Sequence, residues 1–225
     1  MSLLHAFGML LVLLTAALTL GGIVAALVAI PKHRLGAALA IFGALAAWDA
    51  LHLGVVGCVS AREPARTLAP GQAKRFCGFY LDCHLGAAVM ARQRPAEIAG
   101  KKAQGTWEVV TVEISSNARA ATLEPYGLQA MLVDSSGKRF TRDSGAERAW
   151  QGAHGEPASF EQPVAPHGAY RKDLVFDVPA DARGLALDIR ERGLPDDVLE
   201  WLLPGDDDSF MHKPVLLELP LPWGG

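Results

Sequence analysis

The chain has 225 residues, half of them apolar, with a formal net charge of −3 and three cysteines. That near-neutral balance leaves no basic footprint for nucleic acid. Beyond an apolar first quarter and a linker, roughly 150 residues remain, one ordinary domain large enough for a core without staples.

Residues 1–60 read as two membrane-spanning helices joined by the basic turn Pro31-Lys32-His33-Arg34. From Leu3 to Ile30 the ionisable side chain is His5; from Leu35 to Val59 the interruptions are Asp49 and His52. Apolar runs of 18 residues or more suit a bilayer, because lipid offers no water to backbone N–H and C=O groups and a helix satisfies them internally. The first run lacks the basic leading region of a cleaved signal peptide and is too long for its apolar core, so it reads as a retained helix. Ala17, Gly21, Ala25 and Ala29 recur every four residues. Either they form a small-residue face against the second helix, or they reflect an alanine-rich chain.

Asp49 and His52 lie three apart, on one helix face. Two readings stand. They form an intramembrane polar pair with an interhelical or site role, or they lie near the membrane surface. Val55-Val56-Gly57-Cys58 resembles a lipoprotein processing box, which makes Cys58 a lipidation candidate. A whole spanning helix upstream and the polar interruptions argue for the plainer reading, a small buried cysteine. Lys32 and Arg34 place the turn in the cytoplasm, whereas Arg62, Arg66, Lys74 and Arg75 pull the other way. Cys77 and Cys83, a disulfide candidate six positions apart, favour an oxidising compartment for the region beyond the hairpin.

Residues 61–75 read as a linker: Arg, Pro, Gly and Gln without an apolar period. From residue 76 to 225 the period becomes two. Leu85, Ala87 and Val89 fall on one face, as do Val110, Val112 and Ile114, then Leu128, Ala130 and Leu132. Asp134-Ser135-Ser136-Gly137 is a hairpin turn with Arg139-Phe140-Thr141 returning. Leu174, Phe176 and Val178, then Leu185, Leu187 and Ile189, then Val215, Leu217 and Leu219 complete the set. Residues 118–126, 143–166 and 194–209 read as loops, with a helical turn at 196–202. Strands with one buried and one wet face predict an all-β antiparallel sandwich.

The segment Cys77-Gly78-Phe79-Tyr80-Leu81-Asp82-Cys83-His84, the strand Trp107 to Ile114, and Leu203-Pro204-Gly205-Asp206-Asp207-Asp208-Ser209 with His212 together resemble bacterial envelope proteins of unassigned function. Those are domain-of-unknown-function families with an immunoglobulin-like sandwich. The resemblance spans about Phe76 to Leu219 and leaves out the helical hairpin. It implies an exported interaction domain and carries over no activity.

Chemistry is sparse. Asp82, Cys83, His84 and Cys77 have poor spacing for a four-ligand zinc site. Asp206, Asp207 and Asp208 supply hard oxygens for calcium but lack an EF-hand pattern. They read as a solvated acidic turn, with Asp or Ser209 capping the backbone before His212. No Gly-x-Ser-x-Gly elbow occurs, and His154, His167 and Ser159 fall in a loop region. The expectation is a non-catalytic module without cofactor or metal, anchored in the inner membrane with an extracytoplasmic domain. Its partners are membrane lipids and an envelope protein. The alternatives are a small-ligand or metal sensor coupled to the helices, with His84, Asp206, Asp207, Asp208 and His212 as candidates, and a thiol-active envelope protein.

Overall fold

The computed structural model describes residues 3–31, 34–77, 83–155, 159–193 and 196–222. The chain forms two compact units. One comprises residues 1–64 and 198–213; the other comprises residues 65–197 and 214–225. The chain therefore passes between them three times, at 64/65, 197/198 and 213/214. The sequence suggested one crossing, from a helical anchor at 1–60 into a continuous domain at 76–225. Residues 198–213 belong instead with the helices, because their apolar side chains pack on that unit.

In the first unit, α1 runs Leu3–Ala29 and α2 runs Leu35–Arg62. Both are long and apolar enough to cross a bilayer. Pro31 sits just past the end of α1, and Glu63, held extended before Pro64, ends α2. The helices meet along Gly22, Ala26 and Ala38 rather than along the every-fourth-residue stripe, which was one of the two readings. A Cβ on Gly22 would lie 2.7 Å from Leu45, whereas Gly21 faces open space and Ala17 and Ala25 are exposed. Four-residue spacing drifts around a helix with 3.6 residues per turn. The seam instead follows the mixed three-and-four rhythm Thr15, Thr19, Gly22, Ala26. A short helix, α4 (Asp196–Leu202), leads into the loop that packs back on α1 and α2.

The described residues of the second unit form nine strands in two sheets. One has the order β1 (Arg66–Leu68), β9 (Val215–Glu218), β8 (Ala186–Arg190), β5 (Gln129–Val133), β6 (Arg139–Thr141). The other has the order β2 (Lys74–Phe76), β3 (Leu85–Gln93), β4 (Thr106–Ser116), β7 (Ala169–Val178). One core takes Val112, Ile114, Leu174 and Phe176 from the second sheet and Leu132, Leu187, Ile189 and Leu217 from the first. These are the period-two positions expected from the sequence.

Four expectations need correction. The expected linker 61–75 contains the end of α2, all of β1 and the start of β2. Strand edges recruit such short segments through backbone hydrogen bonds, which need no apolar period. β1 pairs with β9 in parallel, so the sheets are not wholly antiparallel. The period-two region expected from residue 76 begins instead with the end of β2 at Phe76, and Leu85, Ala87 and Val89 belong to a separate strand, β3, beyond the Cys77–Cys83 segment. The expected loop 143–166 contains α3 (Ser144–His154). Asp143 caps it by accepting from the N–H groups of Gly145 and Ala146 at 2.9 Å, and Gly155 closes it in the left-handed region. Trp150 of α3 joins Trp107, Val109, Val175 and Ile98 in a second, smaller core on the outer face of β4 and β7. That face is covered, not wet.

Candidate functional site

Within the first unit, Asp49 and His52 are tied to α1. Trp48 Nε1 donates to Thr15 Oγ1 at 3.0 Å, and Thr15 Oγ1 lies 2.7 Å from His52 Nδ1. His52 Nε2 lies 3.0 Å from the carbonyl oxygen of Leu202. That carbonyl can only accept, so Nε2 carries a proton, and in the neutral ring Nδ1 accepts from the threonine. Thr19 Oγ1 donates to Asp49 Oδ1 at 3.1 Å. Both residues of the pair therefore contact side chains of α1. In an apolar setting each such bond contributes about 0.6–2 kcal/mol, and together they fix the register of α1 against α2.

Thr15 and Thr19 were missed in the sequence. Their signal was present: two hydroxyls four apart in an otherwise apolar helix, on the seam that faces Asp49 and His52. A cleft of about 330 Å³ beside them is lined by Val12, Ala16, Leu53, Leu199 and Trp201.

Cys58 is exposed, against the expectation of burial. Helix α2 runs unbroken through it to Arg62, and Gly57 lies under Phe210 and Met211. The peptide bond that lipoprotein processing would cut is thus inside a helix.

The acidic turn is only partly solvated, with Asp207 and Asp208 half-buried. Asp206 is buried, and its Oδ1 accepts the N–H of Asp208 at 2.9 Å. Ser209 Oγ donates to the Asp206 carbonyl at 2.8 Å and lies 2.6 Å from Ser60 Oγ on α2. The capping role expected of this segment is therefore present. Its burial comes from packing on α2, which no local pattern announces. Glu200, Asp206 and Asp208 bring carboxylate oxygens within 4.8 Å of one another, while Asp207 is only partly exposed. Nearby, the buried side chain of His212 places Nδ1 2.6 Å from the Lys213 carbonyl and Nε2 3.9 Å from Glu63.

His84 belongs to the other unit, so the structure does not gather the proposed ligand set into one unit. Its Nδ1 lies 2.6 Å from Asn117 Oδ1. Cys77 and Cys83 are joined by a disulfide; Asp82, Trp223 and His5 lie outside the described side chains. His154 stacks on Trp150 at 4.0 Å in α3, and His167 sits in a tight turn at φ 55°. A triad of these residues with Ser159 is not assembled by any contact among the described residues. In an open groove of about 760 Å³, Asp177 accepts the N–H groups of Gln104 and Gly105, and Arg142 pairs with Glu147 at 2.6 Å. Its charged groups are thus taken up by the chain itself.

Asp134 and Tyr170 in the β-unit are displaced from their usual titration. Asp134 is held below its ordinary value, chiefly by the Ser136 hydroxyl that donates to it. Burial pushes the Tyr170 phenol up, and its hydroxyl donates to the Phe160 carbonyl. The Asp134 bonds close the turn between β5 and β6, and Tyr170 ties residues 160–162 to β7.

Removing the disulfide gives a defined loss. Closing so short a loop restricts the unfolded chain by about 2 kcal/mol. Cys77→Ser with Cys83→Ser should lower the melting temperature of the detergent-solubilised chain by about 4–8 °C. An unchanged melt would mean that the bond contributes nothing to stability.

No protein-family model matches the chain, and no curated protein matches its sequence. Distant solved structures do. A conserved hypothetical protein from Bacillus anthracis is 16% identical over 48% of this chain and 81% of its own, with a TM-score of 0.35. The yjhA protein from Bacillus subtilis is 12% identical over 68% and 100%, with a TM-score of 0.41. MPT63, a secreted protein from Mycobacterium tuberculosis, is 12% identical over 59% and 95%, with a TM-score of 0.37. Likenesses this distant transfer neither activity nor fold type.

Proposed function

We propose that this chain is a membrane-anchored, extracytoplasmic interaction module of the cell envelope, without catalytic activity. Helices α1 and α2 cross the inner membrane as a hairpin. The β-unit, read as an immunoglobulin-like sandwich, is exported and presents its loops and strand edges to a protein partner. The observation that carries this reading is the outward face of the hairpin. Leu13, Leu20, Leu27, Leu39 and Leu51 are all exposed, on helices long enough to span. A soluble protein would turn such a face inward. The disulfide supports an oxidising location for the β-unit. Two sheets sharing one core support the sandwich. Binding by strand addition at an edge is a mechanism that such sheets permit.

The test has two parts. In spheroplasts, the full chain should stay in the membrane pellet after alkaline carbonate, and added protease should digest the β-unit without lysis. Extraction by carbonate, or protection from protease, overturns the topology. In situ crosslinking should then recover one envelope protein in constant ratio to the chain; recovery of none overturns the interaction role.

The sensing alternative draws on the Glu200, Asp206 and Asp208 carboxylates. It predicts that millimolar calcium or magnesium raises the melting temperature of the full chain. The interaction module predicts no change. A thiol-active role predicts that reductant alters partner capture, which the module does not.

A further inference from the structure

The segment 198–213 exposes three apolar side chains beside polar ones that are buried. On α4, Val198 and Trp201 are three apart and 46% and 41% exposed, whereas Glu200 is 3% exposed and turned inward. In the adjoining loop, Asp206 and Ser209 are buried while Met211 is 61% exposed. Water favours the reverse arrangement, with carboxylates out and tryptophan in. The pattern fits a surface whose surroundings are at least partly apolar.

The position of this segment on the hairpin identifies those surroundings. At about 1.5 Å per residue, about 20 residues cross a roughly 30 Å hydrocarbon core. Counted from the turn, that length ends at Gly54 in α2 and at Leu10 in α1. The helices continue beyond both points, to Arg62 and back to Leu3. The segment covers these surplus turns. Leu203 and Pro204 lie against Gly8, Phe210 and Met211 against Gly57, and Ser209 bonds Ser60. Val56, Gly57 and Ser60 are buried there, whereas Ala38 is the buried residue of the lower half of α2. The lowest contacts, Leu202 on His52 and Trp201 beside Val12, fall at or just below the boundary.

We infer that α4 and the loop to Met211 form a collar embedded in the headgroup zone of the bilayer, with Val198, Trp201 and Met211 in contact with lipid. The inference rests on the proposed membrane anchoring and extends it to a second, interfacial attachment. Tryptophan is suited to that depth because it has an apolar ring and an N–H for the wet side. Phe210, 4.8 Å from the Trp201 ring, backs it from within the unit. The collar also sets the depth of the Asp49 and His52 network. Its His52 end lies next to the boundary, in reach of the Leu202 carbonyl, while Asp49, Thr15 and Thr19 lie deeper.

The test uses the full chain in phosphatidylcholine vesicles brominated at shallow or deep acyl positions. The emission lost in Trp201→Phe should be the part that shallow bromines quench. Val198→Trp in that background should restore shallow quenching, which guards against a folding defect in one variant. Trp48→Phe reports on the hairpin itself and should remove deep-bromine quenching. Equal shallow quenching with and without Trp201, while Trp48 still responds to deep bromines, overturns the collar and leaves the anchor standing. No bromine response from either tryptophan overturns both. Shielding of Trp201 that grows with the protein-to-lipid ratio assigns the face to a second copy and overturns lipid contact.

Discussion

Glu108→Ala should destabilise the β-unit by about 3–5 kcal/mol, the cost of leaving a buried partner charge uncompensated. Glu108 is fully buried and accepts from Arg92 Nε at 2.7 Å, from Arg92 Nη2 at 2.6 Å and from Arg94 Nε at 2.7 Å. Register explains why this carboxylate is inside. Glu108 stands opposite Phe176 and Arg92 opposite Val110, both core positions, so the pair shares the apolar face. Arg94 is 41% exposed and can return to water, but Arg92 is 11% exposed and cannot. For a unit of this size the melting temperature should fall by about 10 °C or more. The double replacement Arg92→Met with Glu108→Leu should recover most of that loss, since a packed apolar pair avoids the desolvation that the ion pair must offset. Thermal melts of the full chain in detergent check both. A single variant that melts like the parent would show that Arg92 finds another partner or water at little cost.

Gly127→Ala should cost about 3 kcal/mol, near the upper end of what one strained backbone position carries. Gly127 has φ 63°, and a Cβ there would lie 1.6 Å from the carbonyl oxygen of Arg192. The same residue's carbonyl accepts the N–H of Arg192 at 3.0 Å, so the two segments cannot separate without losing that bond. Gly137 supplies the control. Its φ is 84° but nothing lies within 4 Å of its Cβ position. Gly137→Ala should therefore cost only the left-handed conformation, about 1–2 kcal/mol. Urea midpoints of the two variants measure the difference. Equal losses would mean that the loop at Gly127 relaxes freely and that the close approach is unimportant.

The elements that announced themselves in the sequence are those whose environment repeats. Val110, Val112 and Ile114 alternate because β4 has a core beneath it. Asp134-Ser135-Ser136-Gly137 turns the chain because Asp134 accepts from Ser136 and Lys138, all within five residues. Helix α3 was read as a loop, because the glycine and proline residues around it obscured the caps Asp143 and Gly155 that bracket it. For the candidate site, Asp49 and His52 stood out as ionisable groups in apolar runs. Thr15 and Thr19 did not, because a hydroxyl in a helix carries little signal until the facing helix is known.

By itself, the sequence determined two long apolar helices, the strands with period-two burial and the turns closed by local hydrogen bonds. Each of these depends on residues near one another in the chain, where spacing alone states the geometry. Tertiary structure alone decided which side of α1 meets α2, that β1 lies parallel to β9, that Glu108 enters a core, and that residues 198–213 leave the β-unit to pack on the hairpin. The physical reason is that these outcomes join residues far apart in the chain. Their energy comes from desolvation and shape at the meeting point, which no local period of the chain encodes.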